Sequence, residues 1–369
     1  MKKTLLTICL VWMCFSLSAQ KIIDLSGKWS FSIDRQDNGE KEKWFSHTLN
    51  DCINLPGSMP EKLKGDEVTA KTQWTGSLYD SSYYYNPYME KYRKEGNIKF
   101  PFFLTPDKHY VGAAWYQKEV NIPADWKGER ILLFLERPHI ETTVWVNGQK
   151  TGMQNSLCVP HQYDITRYVR PGKCTITIRV DNRIKEINVG PDSHSITDQT
   201  QGNWNGIVGR ICLQTTPKTY FDDIQIYPEP EQKLARVKVV IKGTGTAKVK
   251  LSAESFNTDK KHIVPAIQQE IKLNKGVTET EMVLPMGNDM LLWDEFHPAL
   301  YKLKAEVTNG KKTEIKEIQF GMRRFEIKGK WFYVNGRKTQ LRGTVENCDF
   351  PLTGYAPMDV ESWERVFRI

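Results

Sequence analysis

Short stretches in which apolar and polar residues alternate dominate the chain as far as residue 320. Residues 29–33, 115–122, 131–135, 142–146 and 175–180 alternate or are rich in β-branched side chains, the pattern of strands with one buried face. Turn chemistry separates them, as at Asn147-Gly148 and Pro171-Gly172. Asn-Gly directly after Thr143-Val144-Trp145-Val146 predicts a tight hairpin, because a type I′ turn requires positive φ at both central positions. Helical periodicity is almost absent before residue 358. Many short strands with turns between them predict a sandwich or jelly roll over residues 21–217.

A second strand series follows at 236–242, 247–256, 278–284, 301–307 and 313–320. Its spacing fits an immunoglobulin-like sandwich over residues 218–322, with Pro228-Glu229-Pro230-Glu231 expected as the connector leading into it. After Gly321 the pattern changes. Residues 331–334, the Asn335-Gly336 turn and residues 339–342 predict a hairpin and one buried strand, with a helix beyond Ala356.

Composition narrows the setting. Residues 1–20 have the layout of a signal peptide: Lys2 and Lys3, an apolar run over 5–17, then Ser18-Ala19-Gln20. That run is shorter than the roughly 20 apolar residues of a membrane span, so export to the periplasm or outside the cell is expected. Bulky Trp12 and Met13 precede Cys14, where a lipid-attachment signal wants a small residue. Cys52, Cys158, Cys174, Cys212 and Cys348 show no tight spacing, which argues against a disulfide framework or a zinc site and for small apolar core residues. The net charge of +8 is dispersed in mixed runs, unlike a nucleic-acid groove with clustered cations and aromatics. No cofactor or metal is expected.

The order of these units carries a resemblance. The chain resembles glycoside hydrolase family 2, the β-galactosidases, β-glucuronidases and β-mannosidases. The matching stretches are Leu25-Ser26-Gly27-Lys28-Trp29, Ala114-Trp115-Tyr116-Gln117-Lys118, Val144-Trp145-Val146-Asn147-Gly148 and Trp204-Asn205-Gly206-Ile207-Val208-Gly209-Arg210. Leu292-Trp293, His297-Pro298-Ala299-Leu300-Tyr301, and Phe320-Gly321-Met322-Arg323-Arg324 leading into Leu341-Arg342-Gly343 complete the series. The resemblance implies a mainly β chain: a sugar-binding jelly roll, an immunoglobulin-like sandwich, and over 323–369 the truncated start of a (β/α)8 barrel. It also implies retaining hydrolysis by two carboxyl groups about 5–5.5 Å apart. In relatives these are glutamates on later barrel strands, so both are expected beyond Ile369. Glu279 and Glu281 share one strand face and are expected at the surface.

Three segments are candidates for sugar contact. Residues 193–206 are dense in amide and hydroxyl groups, the inventory that pairs sugar hydroxyls, and in relatives a loop here reaches the terminal sugar. Asp198, Gln201, Asn203 and Trp204 inherit that role by position, and Asp198 is expected to be a loop side chain whose loss leaves the fold intact. Residues 105–112 supply His109 and Tyr110. Glu346 and Asn347 stand where relatives carry an Asn-Arg-His-Glu run, at the carboxyl end of a barrel strand, which faces the active site. A tyrosine-rich stretch (Tyr79, Tyr83, Tyr84, Tyr85, Tyr88, Tyr92) is read as packing of an inserted subdomain ahead of sugar stacking. The partner expected is the non-reducing end of a glycan. A non-catalytic carbohydrate-binding protein and an inactive product of a broken gene are the competing readings.

Overall fold

The computed structural model describes residues 21–76, 81–99, 105–185, 190, 192–345, 350 and 353–369. Residues 1–20, where a signal peptide is expected, and Tyr79, Glu346, Asn347 and Cys348 lie outside the described residues. Two compact units result: Ile22–Thr215 together with Gly343–Ile369, and Thr216–Arg342.

The first unit is a sandwich of two antiparallel sheets. One orders Gln149–Asn155, Glu141–Val146, Gly172–Asp181, Ala113–Ile122, Gly27–Asp34 and Asp51–Leu55 side by side. The other runs Ile22–Asp24, Gly206–Thr216, Arg130–Pro138 and His161–Asp164, with Gly57–Ser58 also paired to Gly206–Thr216. Alternation in the strands places Trp29, Phe31, Tyr116, Val144, Ile176, Ile178, Leu133 and Ile211 in the core between the sheets. The opposite face of the larger sheet is covered as well: Trp115 and Trp145 pack with Leu49, Trp44 and Phe45 from the segment after Asp34. Asp34 fixes that cover by accepting from Trp115 Nε1 (2.9 Å) and Gly39 N (2.8 Å). The expected Asn147-Gly148 turn is present, with φ of 50° and 76°.

The second unit holds a three-stranded sheet (Tyr220–Glu229, Leu234–Lys242, Val277–Pro285) and a four-stranded one (Ile263–Leu273, Gly245–Ser255, Tyr301–Asn309, Lys312–Phe320), an immunoglobulin-like arrangement around Val237, Val249, Leu251, Tyr301 and Leu303. The expected connector at 228–231 is instead a hairpin: Pro228 and Glu229 end one strand, Pro230–Gln232 turns, and the next strand pairs back in register. Glu279 and Glu281 are exposed and answered across the sheet by Lys238 (2.8 Å) and Arg236 (3.3 Å).

Beyond Arg324 the sequence leads one to expect a loose tail, since a buried barrel strand would have no neighbours. The structure shows a three-stranded meander, Phe325–Lys328, Trp331–Val334 and Arg337–Thr339. Asn335 ties it to the sandwich by accepting from Arg324 N (2.9 Å) and donating to Trp293 O (2.9 Å). The buried strand expected at 339–342 is replaced by the exposed Arg337–Thr339, and Leu341 is exposed. The helix forms at Val360–Phe367, capped by Asp359 on Ser362 N (2.7 Å). The cysteine expectation holds for buried Cys174 and Cys212, whereas Cys52 and Cys158 are exposed. Burial pushes the Cys174 thiol up to about 11, so it packs as a small apolar group.

Candidate functional site

Residues 193–205 fold as successive tight turns: Ile196 and Thr197 N–H donate to Ser193 O, and Thr200 and Gly202 N–H to Thr197 O. Self-bonded turns of this kind need Gly at positive φ, and Gly202 sits at 77°. The loop is then pinned from the side. Asp198 N donates to Thr75 O (3.0 Å) while its carboxylate accepts from Thr75 N (2.6 Å) and Asn203 N (2.9 Å). His109 Nε2 lies 3.2 Å from the same carboxylate, and the His109 ring packs on Trp74 at 4.8 Å. Asp198 and His109 are both buried. The structure therefore joins two candidates from separate segments, but as partners of each other.

A ladder of buried amides completes the support. Asn203 Nδ2 donates to Thr75 Oγ1 (3.0 Å) and Asn182 O (3.1 Å). Asn205 donates to Gly112 O and Val180 O and accepts from Tyr116 Oη (2.8 Å). Asn182 bridges to the second candidate segment, accepting from Gly112 N and donating to Tyr110 O. Tyr110 spends its hydroxyl on Ala113 O (2.9 Å), and burial raises its pKa far above the usual phenol range. It is a packing residue of the loop, not a cap over a pocket.

Trp204 and Gln201 differ, being only half-buried. The Trp204 ring stacks on His139, with centroids 4.5 Å apart and planes 22° from parallel. Burial lowers the His139 pKa to about 4, against weaker opposing contributions from Asn203 and Asp198, so the imidazole is neutral at pH 7. Asn182, Asn205, Thr75 and His139 were not singled out in the sequence. For Asn182 and Asn205 the one signal is an amide at the end of a strand, and Thr75 and His139 carry none.

The strand end beside Asn182 is braced by charge. Arg179 reaches Asp37 (2.6 Å), Asp181 (2.9 Å) and Glu141 (3.3 Å), and Lys185 joins Asp181 (2.7 Å) and Glu141 (3.0 Å). Burial works to raise Asp181, but hydrogen bonds from Arg183 and Lys185 and the Arg179 charge hold it well below the carboxylate range.

Asp198, Asn203, Gln201, Trp204 and His109 line one narrow cleft, closed on its far side by Gly354 and Tyr355. It has room for about 20 Å³, one water molecule and not a pyranose. Closure is tight because a Cβ on Gly354 would lie 2.3–2.5 Å from the backbone of Pro106 and Thr105. Among the described residues no group of three or more His, Cys, Asp or Glu side chains is arranged to hold a metal ion, and no helix is long and apolar enough to cross a membrane.

Residues 22–217 match the family model described as glycosyl hydrolases family 2, sugar binding domain, and residues 219–323 match that described as glycosyl hydrolases family 2. The chain belongs to glycoside hydrolase family 2. It is 24% identical over 355 residues to a β-glucuronidase of Paenibacillus borealis, covering 91% of this chain and 51% of that protein. To a β-galactosidase large subunit of Latilactobacillus sakei it is 23% identical, covering 92% and 52%. The chain thus spans about half the length of these relatives. The apo structure of a β-glucuronidase from Ruminococcus gnavus is similar in fold, with a TM-score of 0.65 at 19% identity, covering 95% of this chain and 53% of that one. A β-glucuronidase from Ruminococcus gnavus in complex with D-glucuronic acid is likewise similar in fold, with a TM-score of 0.65.

Proposed function

We propose that this chain is the N-terminal, sugar-facing part of an exported family 2 hydrolase that cleaves O-glycosidic bonds at the non-reducing end of glycans with retention. The observation that carries the reading is the pair of family models matched in order across 22–323. The names of the relatives, β-glucuronidase and β-galactosidase, support the substrate class. The meander also exposes Phe325 and Ile327, and apolar surface of this kind usually marks a place where more protein packs. The jelly roll and sandwich bind and orient in this scheme. The two carboxyl groups of the reaction belong to a barrel, a unit of roughly 250 residues.

Within the cleft loop, Gln201 and Trp204 hold the sugar-facing role, and Asp198, His109 and Asn203 hold the loop. In an enzyme carrying the barrel, Gln201→Ala should lower kcat/KM by about 10- to 100-fold with the fold intact, the loss of one sugar hydrogen bond worth roughly 1–3 kcal/mol. An unchanged kcat/KM would move sugar contact off this loop.

The 369-residue chain alone should release no nitrophenol from nitrophenyl β-glucuronide or β-galactoside above a vector control. Turnover by rigorously purified protein would place the reacting carboxyl groups within these residues and overturn the proposal.

A further inference from the structure

A pocket much roomier than the sugar-loop cleft lies within the second unit, between residues 292–296 and the meander. It holds about 700 Å³, inside the roughly 300–1,000 Å³ that small-molecule sites occupy. Val334 is its buried part, and Trp293, Phe296, Phe325 and Leu341 supply apolar walls. Backbone and amide bonds fix both sides. Trp293 N donates to Met322 O (3.0 Å), and Asp294 closes the turn by accepting from Phe296 N (2.8 Å) and His297 N (2.7 Å). Gly321 backs the Trp293 side chain so closely that a Cβ there would lie 2.9 Å from Trp293 Cβ. On the meander side, Asn335 Nδ2 holds Trp293 O (2.9 Å). The pocket is therefore preformed.

Two guanidinium groups edge this apolar space. Arg323 lies over the Trp293 ring at 4.5 Å and Arg337 over the Phe296 ring at 5.4 Å, and both line the pocket. Stacking occupies the flat face of a guanidinium and leaves its N–H donors directed outward in the plane. Among the described residues, neither side chain donates a hydrogen bond or forms an ion pair through those donors. The acids lining the pocket do not answer them. Asp294 spends its carboxylate on the backbone of its own turn, and those hydrogen bonds, His297 N first, hold it below its ordinary range. Glu295 is exposed. An apolar slot whose edge carries open guanidinium donors matches a ligand that is flat and apolar along its body and anionic at one end.

We propose that this pocket binds an aromatic acid, its fused rings against the Trp293 and Phe296 walls and its carboxylate on the in-plane donors of Arg323 and Arg337. Burial of ring faces drives entry, and a guanidinium takes a carboxylate through two parallel N–H···O bonds. The site uses no residue of the cleft at Gln201 and Trp204, so it stands independently of the hydrolase reading.

The probe is 1-pyrenebutyrate, a fused-ring aromatic with one carboxylate, titrated into the whole 369-residue chain and followed by pyrene emission. Its uncharged counterpart is 1-pyrenebutanol. The acid should bind about tenfold more tightly than the alcohol, and that difference should shrink as salt is raised from 50 to about 500 mM, where screening shortens to a few ångströms. Arg323→Gln/Arg337→Gln keeps much of each stem and removes both charges. It should bind the acid roughly tenfold more weakly and the alcohol within about twofold of the parent. Phe296 is 61% exposed, so Phe296→Ala leaves the fold in place and should weaken both probes. Parent-like affinity of the double glutamine variant for the acid would overturn the proposal, as would parent-like binding of both probes by Phe296→Ala. So would concentration-dependent self-association that Phe296→Ala abolishes, because the pocket would then be an interface between copies of the chain.

Discussion

Asp198→Ala should lower the stability of the jelly-roll unit by about 3–5 kcal/mol, a fall in melting temperature on the order of 10 °C for a unit of this size. The carboxylate is 3% exposed and accepts from Thr75 N and Asn203 N while facing His109 Nε2. Alanine leaves those donors buried with no acceptor, and each unpaired buried group costs roughly 1–3 kcal/mol. Asp198→Asn keeps one acceptor oxygen and should lose about half as much. Thermal and urea unfolding of the three proteins measure this directly. A parent-like midpoint for the alanine variant would show that the loop does not depend on its carboxylate. The sequence reading of Asp198 as a removable loop side chain is corrected here on physical grounds. Loop position says nothing of burial, and this loop lies against Thr75 from more than a hundred residues earlier in the chain.

That contrast runs through the molecule. Local signals were legible: Thr143-Val144-Trp145-Val146 before Asn147-Gly148 pairs as a hairpin with both positive φ values in place, and the alternating 236–242 buries Val237, Val239 and Ile241. Strands without alternation were not legible. Gln149–Asn155 is polar because it is an edge strand with one neighbour. Ile263–Leu273 contains Pro265, and it too is an edge, with its register shifting between the partners Leu251 and Ala253. An edge strand tolerates both features. Pro228-Glu229-Pro230-Glu231 reads as a linker because proline punctuates loops, yet its first proline closes a strand and its second opens a hairpin turn.

The site divides the same way. Residue types marked the right loop, since amides and hydroxyls cluster between 193 and 206. Which of them face out and which hold the loop depends on partners far away in sequence. Asn182 and Tyr116 fix Asn203 and Asn205, and neither relation has any local pattern. The tyrosine stretch shows a sharper split, with Tyr83 buried and Tyr85 and Tyr88 open, although nothing in their immediate sequence distinguishes them.

Acid should weaken the jelly-roll unit over a window set by two histidines. His139 and His161 are both buried, and burial lowers each to about 4 from an ordinary 6.5. Between these values the unfolded chain takes up a proton at each imidazole and the folded chain does not. Stability is therefore full above pH 6.5, falls as pH drops toward 4, and receives no further loss from these groups below that. A displacement of this size is worth up to about 3 kcal/mol per histidine. The depressed carboxylates act lower: the contribution of Asp181 is complete above its unfolded value of 3.8, and that of Glu136 above its unfolded value of 4.5. The part of the window between 6.5 and 4.5 thus reports the histidines. His139→Phe keeps an aromatic ring against Trp204 and removes the titrating group, so its urea midpoint should fall about half as steeply across that window as the parent's. Parallel curves for the two proteins would mean that His139 takes up its proton in the folded chain over the same range as in the unfolded one, below about pH 6.5. A cation would then sit beneath Trp204, in place of the neutral ring on which the cleft's aromatic wall rests here.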